Sequence, residues 1–247
     1  MSVDLVEKLR DIGIRAPTGA LEALLEEGAR HRWSTSDALE KLCSLERRER
    51  DAANLVKREK TATLGTVKAL DRFDWNHPSR IERDAYEGLL SMTFVAQAEN
   101  VLLRGASGVG KTMLAQNLGR RALERGHTVR FATLAGCIAD LSKQESTPAL
   151  ERRLKHYTRP DLLILDEIGY LPCDSHAADL LFQIVSRRHE QRSTVITTNL
   201  SFKQWSGVFP GAACLTALVD RFMQHCHVLE IDGESWRQRA ADRKRAR

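Results

Sequence analysis

The chain has 247 residues, 42% apolar and 29% charged, with a formal net charge of +5. That length can bury one α/β domain plus a smaller appendage, and the composition excludes a disordered or fibrous protein. No run approaches 18 apolar residues, so no transmembrane helix is expected; the opening "MSVDLVEKLRDIG" lacks the apolar region of a signal peptide; and five cysteines without a CxxC pair point to reduced thiols in the cytoplasm.

Residues 1–62 read as an all-helical domain. "SVDLVEKLRDI" puts Leu5, Leu9 and Ile12 on one face, and "TGALEALLEEGARH" does so with Leu21, Leu24 and Leu25. A third helix starts at a Ser/Thr cap before Leu39, Leu42 and Leu45 and can be long, since no glycine or proline lies between Trp33 and Lys60. Residues 1–60 hold 12 basic and 12 acidic side chains and are neutral overall. Gly65 and Pro78 mark 63–80 as a linker, and a helix is expected at 79–97.

From residue 81 to 247 the pattern becomes α/β. Short apolar runs, "NVLLRG" (100–105), "TVRFAT" (128–133), "DLLILDE" (161–167), "STVITTN" (193–199) and "HVLEI" (227–231), alternate with helical stretches. They predict a five-stranded parallel sheet covered on both faces. The chain closes on "WRQRAADRKRAR", with six basic residues and one acid. This tail can bind a polyanion by counterion release or remain a solvated terminus.

"GASGVGKT" comprises Gly105, Ala106, Ser107, Gly108, Val109, Gly110, Lys111 and Thr112. It follows an apolar strand and opens a helix, the context of a phosphate-binding loop. Its glycines let successive amide N–H groups point inward around an anion. The helix N-terminus reinforces the field, so Lys111 is tolerated there only opposite strong negative charge. The pattern predicts that Lys111 faces the β- and γ-phosphates of a nucleotide and that Thr112 offers its hydroxyl to Mg²⁺. "LLILDE" delivers Asp166 and Glu167 at a strand's C-terminal end, where ligands of open α/β sheets bind. Asp166 is expected to hold the magnesium shell and Glu167 to act as general base on the attacking water. Asn199, ending "TVITTN", is positioned to hold that water. Arg221, before the last strand, and Arg237, after it, are each open to two readings. One is a γ-phosphate contact, worth about 10³–10⁵ in rate. The other is a surface ion pair such as Asp220–Arg221.

Taken in order, "FDW", "AENVLLRGASGVGKTMLA", "LLILDEIGYLP", "TTNLSFKQW" and "DRFMQHCHVLEIDGESWR" resemble the IstB family, AAA+ helper ATPases of IS21-type transposons. "ALLEEGARHRWSTSDALEKLCSLERRERDAANLVKREK" resembles that family's helical N-terminal domain. The chain departs mildly: "GASGVGKTM" stands where "GPPGVGKTH" is common, and Trp236 stands where tyrosine is usual. The resemblance implies an AAA+ core that hydrolyses ATP with Mg²⁺, binds duplex DNA with little sequence preference, forms a homo-oligomer on it and activates a partner transposase. It makes Arg221 an arginine finger acting on a neighbour's ATP, Arg237 a sensor-2-type arginine and Phe73 a neighbour of the adenine. After "HVLEI" only 16 residues remain (232–247), too few for the helical lid of a typical AAA+ module, which favours completion of the site by a neighbour. A helicase loader of the DnaC type is the alternative within this frame. A GTPase would need an NKxD-like motif, and a small-molecule kinase an acceptor pocket and an arginine-bearing lid; the sequence offers neither.

Overall fold

The computed structural model describes residues 2–169, 174–236 and 238–239. The chain divides into two compact units, Met1–Arg58 and Glu59–Arg247.

The first unit is helical: α1 (Ser2–Asp11), α2 (Thr18–His31) and most of α3 (Thr35–Ala62). The Ser34 hydroxyl accepts from the Asp37 N–H and the Asp37 carboxylate from the Ser34 N–H, a reciprocal cap that fixes where α3 begins. Val6, Ala16, Leu21 and Leu45 form the core, with Leu9, Leu24, Leu25 and Leu42 packed against it. Leu5, Ile12 and Leu39 are instead exposed, because the buried stripe of α1 runs through Val6 and Leu9 rather than Leu5 and Ile12. Glu46 is buried at the edge of this core. It accepts the Arg15 and Ala16 N–H groups at 2.7 and 2.8 Å and the Arg50 guanidinium at 2.5 Å.

In the second unit, the stretch read as a linker is packed down rather than free. Leu64 is buried, and its carbonyl accepts the Gln116 amide at 2.8 Å. The Lys68 carbonyl accepts the Asn117 amide at 2.9 Å, and a 3₁₀ turn follows at Leu70–Arg72. The helix expected at 79–97 is three pieces: β1 (Arg80–Ile81), α4 (Arg83–Leu89) and α5 (Thr93–Ala96). Met92 adopts φ +65° between the two helices, a left-handed turn that an uninterrupted helix excludes.

The remaining elements alternate: β2 (Asn100–Gly105), α6 (Lys111–Glu124), β3 (Val129–Thr133), α7 (Leu134–Ser142), α8 (Thr147–Thr158), β4 (Leu162–Ile168), α9 (Ser175–Arg188), β5 (Ser193–Thr198), α10 (Phe202–Val208), α11 (Leu215–Met223) and β6 (Cys226–Asp232). The sheet has six strands in the order β1-β6-β2-β5-β4-β3. Five are parallel as expected, and β1 adds a two-residue antiparallel edge through Arg80↔Asp232 and Ile81↔Ile231. Successive side chains of β4 face opposite ways. Leu163 and Leu165 enter a cluster with α7–α11, while Ile164 lies against Gly119 of α6. Burial on both faces explains the uninterrupted apolar runs.

A guanidinium also lies inside this architecture. Arg188, 1% exposed, donates to the carbonyls of Tyr157, Thr158, Pro160, Asp161 and Ser193 and to the Thr194 hydroxyl. It thereby joins the end of α8 and the turn into β4 to the start of β5. Burial lowers its pKa to about 9, so it remains charged at neutral pH.

Candidate functional site

Strands β2, β5 and β4 are parallel neighbours, so their C-terminal ends lie side by side. The phosphate-type loop leaves the end of β2. Gly108 and Gly110 have φ +83° and +100°, the left-handed region that favours glycine. A side chain at Gly105 would meet the Ile231 carbonyl oxygen at 2.1 Å, so the approach of β6 also demands glycine there. Lys111 opens α6, and its Nζ donates to the Gly105 and Ala106 carbonyls at 2.7 and 2.8 Å. The ammonium therefore lies over the loop at the positive end of the helix.

Beside it, the Thr112 hydroxyl lies 3.1 and 2.9 Å from the two Asp166 carboxylate oxygens, although 54 residues separate them. Asp166 is 3% exposed. Thr112 and Asp166, both singled out by the sequence, thus lie together, and with them Thr197, which the sequence did not single out and which is fully buried on β5. Its hydroxyl donates to Asp166 Oδ1 at 2.6 Å and accepts the Glu167 N–H at 2.9 Å. The β4–β5 register shifts between Leu165 and Ile168, and Glu167 takes φ +63° there. This bulge turns Glu167 outward, exposed beside its buried neighbour. Asn199, at the end of β5, is exposed, and its Oδ1 is 3.5 Å from the position a Cβ would take on Gly169, two residues beyond Glu167.

Two distant segments border the loop. Phe73 is buried, with its ring edge 2.6 Å from the position of a Cβ on Gly110, and it stacks edge-on with Trp75 at 4.8 Å. On the other flank Ser235 lies against Gly108, and the Trp236 N–H donates to the Gly108 carbonyl at 3.1 Å. His77 joins the two segments: it bonds the Glu234 carbonyl through Nε2 and Arg239 through Nδ1, both at 2.9 Å. Arg237 and residues 240–247 of the basic tail lie outside the described residues, as do Tyr170–Pro172 of "DEIGYLP" and Cys173.

Arg221 is not paired with Asp220. On α11, its guanidinium donates to the Ser186 hydroxyl at 2.5 Å and lies over the Phe182 ring at 4.9 Å. The adjacent Phe222 carbonyl accepts the side chain of Asn100, the first residue of β2. Arg221 thus sits where the strands begin, about 17 Å along β2 from the loop at ~3.3 Å per residue, beyond reach of the site of its own chain.

The residues fit a nucleotide and a magnesium ion. The loop offers a backbone shaped by two left-handed glycines and one ammonium. Thr112 and Asp166 are hard oxygen donors, and magnesium characteristically takes one or two protein oxygens together with substrate phosphates and waters. No group of three His, Cys, Asp or Glu side chains able to hold a metal exists among the described residues. No described helix is long and apolar enough to cross a membrane, and the four described cysteines are free thiols.

Fold and site together define a nucleotide-binding α/β protein of the phosphate-loop AAA+ class. The model of the IstB-like ATP binding proteins matches residues 7–244, and the chain belongs to that family. It is 38% identical over 217 residues to the protein named for ATP binding in insertion sequence IS21 of Pseudomonas aeruginosa, covering 88% of this chain and 82% of that one. Its counterpart in insertion sequence IS232 of Bacillus thuringiensis is 40% identical over 170 residues, with 69% and 68% covered. Among solved structures, DnaI aligns with TM-score 0.57 and 18% identity over 68% of this chain and 92% of that one. The replication initiator DnaA bound to AMPPCP and single-stranded DNA aligns with TM-score 0.53 and 18% identity over 75% and 54%. These two likenesses establish the fold.

Proposed function

We propose that this chain hydrolyses ATP with Mg²⁺ and, as an oligomer on duplex DNA, activates or directs the transposase of its insertion sequence. The observation that carries the hydrolytic reading is the junction of Thr112, Asp166 and Glu167 beside Lys111. A bound magnesium ion neutralises charge on the phosphate oxygens during transfer. Thr112 and Asp166 are the residues that would hold it. Lys111 moves from the loop carbonyls to the β- and γ-phosphates and stabilises the charge that develops there. The exposed Glu167 carboxylate accepts a proton from the attacking water, while the Asn199 amide orients that water. Phe73, which adjoins Gly110, would contact the base. Arg237, the next residue after Trp236, is the candidate for a second γ-phosphate contact.

Arg221 supports the oligomeric part of the proposal. It is too far from its own loop, so an arginine finger at this position serves a neighbouring subunit. DNA binding rests on the family's insertion-sequence relatives and on the basic C-terminal stretch. Non-specific phosphate contacts give affinity that falls steeply with salt. The helical residues 1–62 are then a module for DNA or partner contact rather than for ATP.

The test is ATP turnover and particle mass with and without duplex DNA. Lys111→Ala should lose ATP binding, and Glu167→Gln should bind ATP without hydrolysing it. Turnover by Glu167→Gln equal to wild type refutes the assignment of the base. Mass and affinity unchanged by DNA at low salt refute assembly on a duplex.

A further inference from the structure

We infer that Thr197 is a positioning residue that couples the metal-binding carboxylate to the catalytic one. The inference rests on the ATPase reading above and extends it to a side chain that touches neither nucleotide nor water.

Thr197 occupies β5, the strand inserted between the loop strand β2 and the carboxylate strand β4. It is 0% exposed, so its hydroxyl must be satisfied by protein. A hydroxyl has one proton and two lone pairs. The proton is committed to Asp166 Oδ1 at 2.6 Å, and a lone pair accepts the Glu167 N–H at 2.9 Å. These bonds have separate consequences.

The first fixes the carboxylate of Asp166. With Oδ1 held by Thr197, rotation about the Cβ–carboxylate bond is blocked, and both oxygens stay within 3.1 Å of the Thr112 hydroxyl. One face of the metal site is thereby arranged before any ion arrives. The second fixes Glu167. At the bulge its N–H has left the regular β4–β5 ladder, and φ +63° is unfavourable for a residue with a side chain. The Thr197 oxygen supplies the missing acceptor and holds the turn that directs Glu167 outward. One hydroxyl thus sets the orientation of both acids, and their relative geometry becomes a property of β5.

The sequence pattern does not separate this role from strand propensity, since threonine is common in strands. The distinguishing variant is Thr197→Val, which keeps the shape and β-branching and removes only the hydroxyl; Thr197→Ser restores it. Binding of a fluorescent ATP analogue is measured in excess EDTA and across a Mg²⁺ titration, and kcat and KM are measured separately. Thr197→Val should bind the analogue like wild type in EDTA, need more Mg²⁺ to reach tight binding, and lose kcat by about 10- to 100-fold, the loss expected for a hydrogen bond to a charged group, with little change in KM. Thr197→Ser should recover most of both. A melting curve of each variant reports folding, and a thermally intact Thr197→Val is the informative sample. If it does not fold, Thr197→Ser and Thr197→Ala compared by Mg²⁺ titration take its place.

An unaltered Mg²⁺ requirement and kcat in Thr197→Val overturn the inference, as does equal loss of analogue binding in EDTA and in Mg²⁺. Glu167→Gln run alongside separates the two levels: if it is inactive while Thr197→Val is normal, only the positioning role falls. If Glu167→Gln is fully active, the reading beneath it falls.

Discussion

Replacing Arg188 by methionine tests how strongly one buried guanidinium holds the β4–β5 half of the sheet. The substitution keeps an unbranched chain and removes five N–H donors. The carbonyls of Tyr157, Thr158, Pro160 and Ser193 and the Thr194 hydroxyl lose a partner; the Asp161 carbonyl still accepts the Ser193 N–H at 3.2 Å. An orphaned buried group costs about 1–3 kcal/mol, but these acceptors lie at the end of α8, the start of β5 and the turn between α8 and β4, where the backbone can relax toward water. The whole loss should therefore resemble that of breaking a buried charged network, about 3–5 kcal/mol. At about 2–4 °C per kcal/mol for a domain of this size, the melting point should fall by about 6–20 °C. Urea unfolding followed by tryptophan fluorescence measures it directly, because Trp205 is fully buried in the cluster beneath α9. Arg188→Lys should fall between, since it keeps the charge but not the planar fork. A loss below about 1 kcal/mol for Arg188→Met would refute the reasoning and mean that these acceptors satisfy themselves.

Other outcomes follow from the same contacts. Phe73→Ala opens the space beside Gly110 and should weaken ATP binding severalfold, read by analogue titration, while leaving kcat at saturation nearly unchanged. In the helical unit, burial pushes the Glu46 carboxyl up, but the Arg50 guanidinium and the Arg15 and Ala16 N–H groups prevail and hold it below its ordinary pKa. Its stabilisation is therefore present above the unfolded-state carboxylate pKa and lost as pH falls through the lower folded value; Glu46→Gln should flatten this acid limb in thermal melts. Asp140, also opposed by burial, is held low by Arg153 at 2.5 Å and the Tyr157 hydroxyl at 2.6 Å, so Asp140→Asn should shift the second unit's acid unfolding in the same sense. Mixing Arg221→Ala with Lys111→Ala should restore part of the ATPase activity if the arginine acts on a neighbour, and a mixture that co-assembles but stays inactive refutes that role.

What could be read from the sequence was local. The loop, the five strand runs and the Asp166–Glu167 pair each lie within a few residues, and double-sided burial leaves a plain apolar signature. The break at Met92 could not be read, because its left-handed turn falls at a residue without turn character. Arg188 reads as the exposed end of an amphipathic helix, and only its bonds to residues 157–161 and 193–194 reveal that it is covered. Thr197 reads as a strand former. The Phe73 and Ser235 contacts with the loop join positions tens of residues apart in the first case and well over a hundred in the second, and no periodicity encodes such a pairing. The leucines of α1 show a subtler limit: Leu5, Leu9 and Ile12 share a helical face, yet the core selects Val6 and Leu9.

The position of β2 in the sheet also affects how the protein is made. Its flanking partners are β5, beginning at Ser193, and β6, beginning at Cys226, so an apolar segment complete by Gly105 has no lateral neighbour until about 90 more residues exist. At ribosomal speeds of ~5–20 residues per second, that wait is about 5–18 s. During it, "NVLLR" presents two open strand edges, the kind of surface that pairs with other chains. Overproduction should therefore be limited by events on the nascent chain, and slower initiation or trigger-type chaperones should raise soluble yield more than any change to the folded surface.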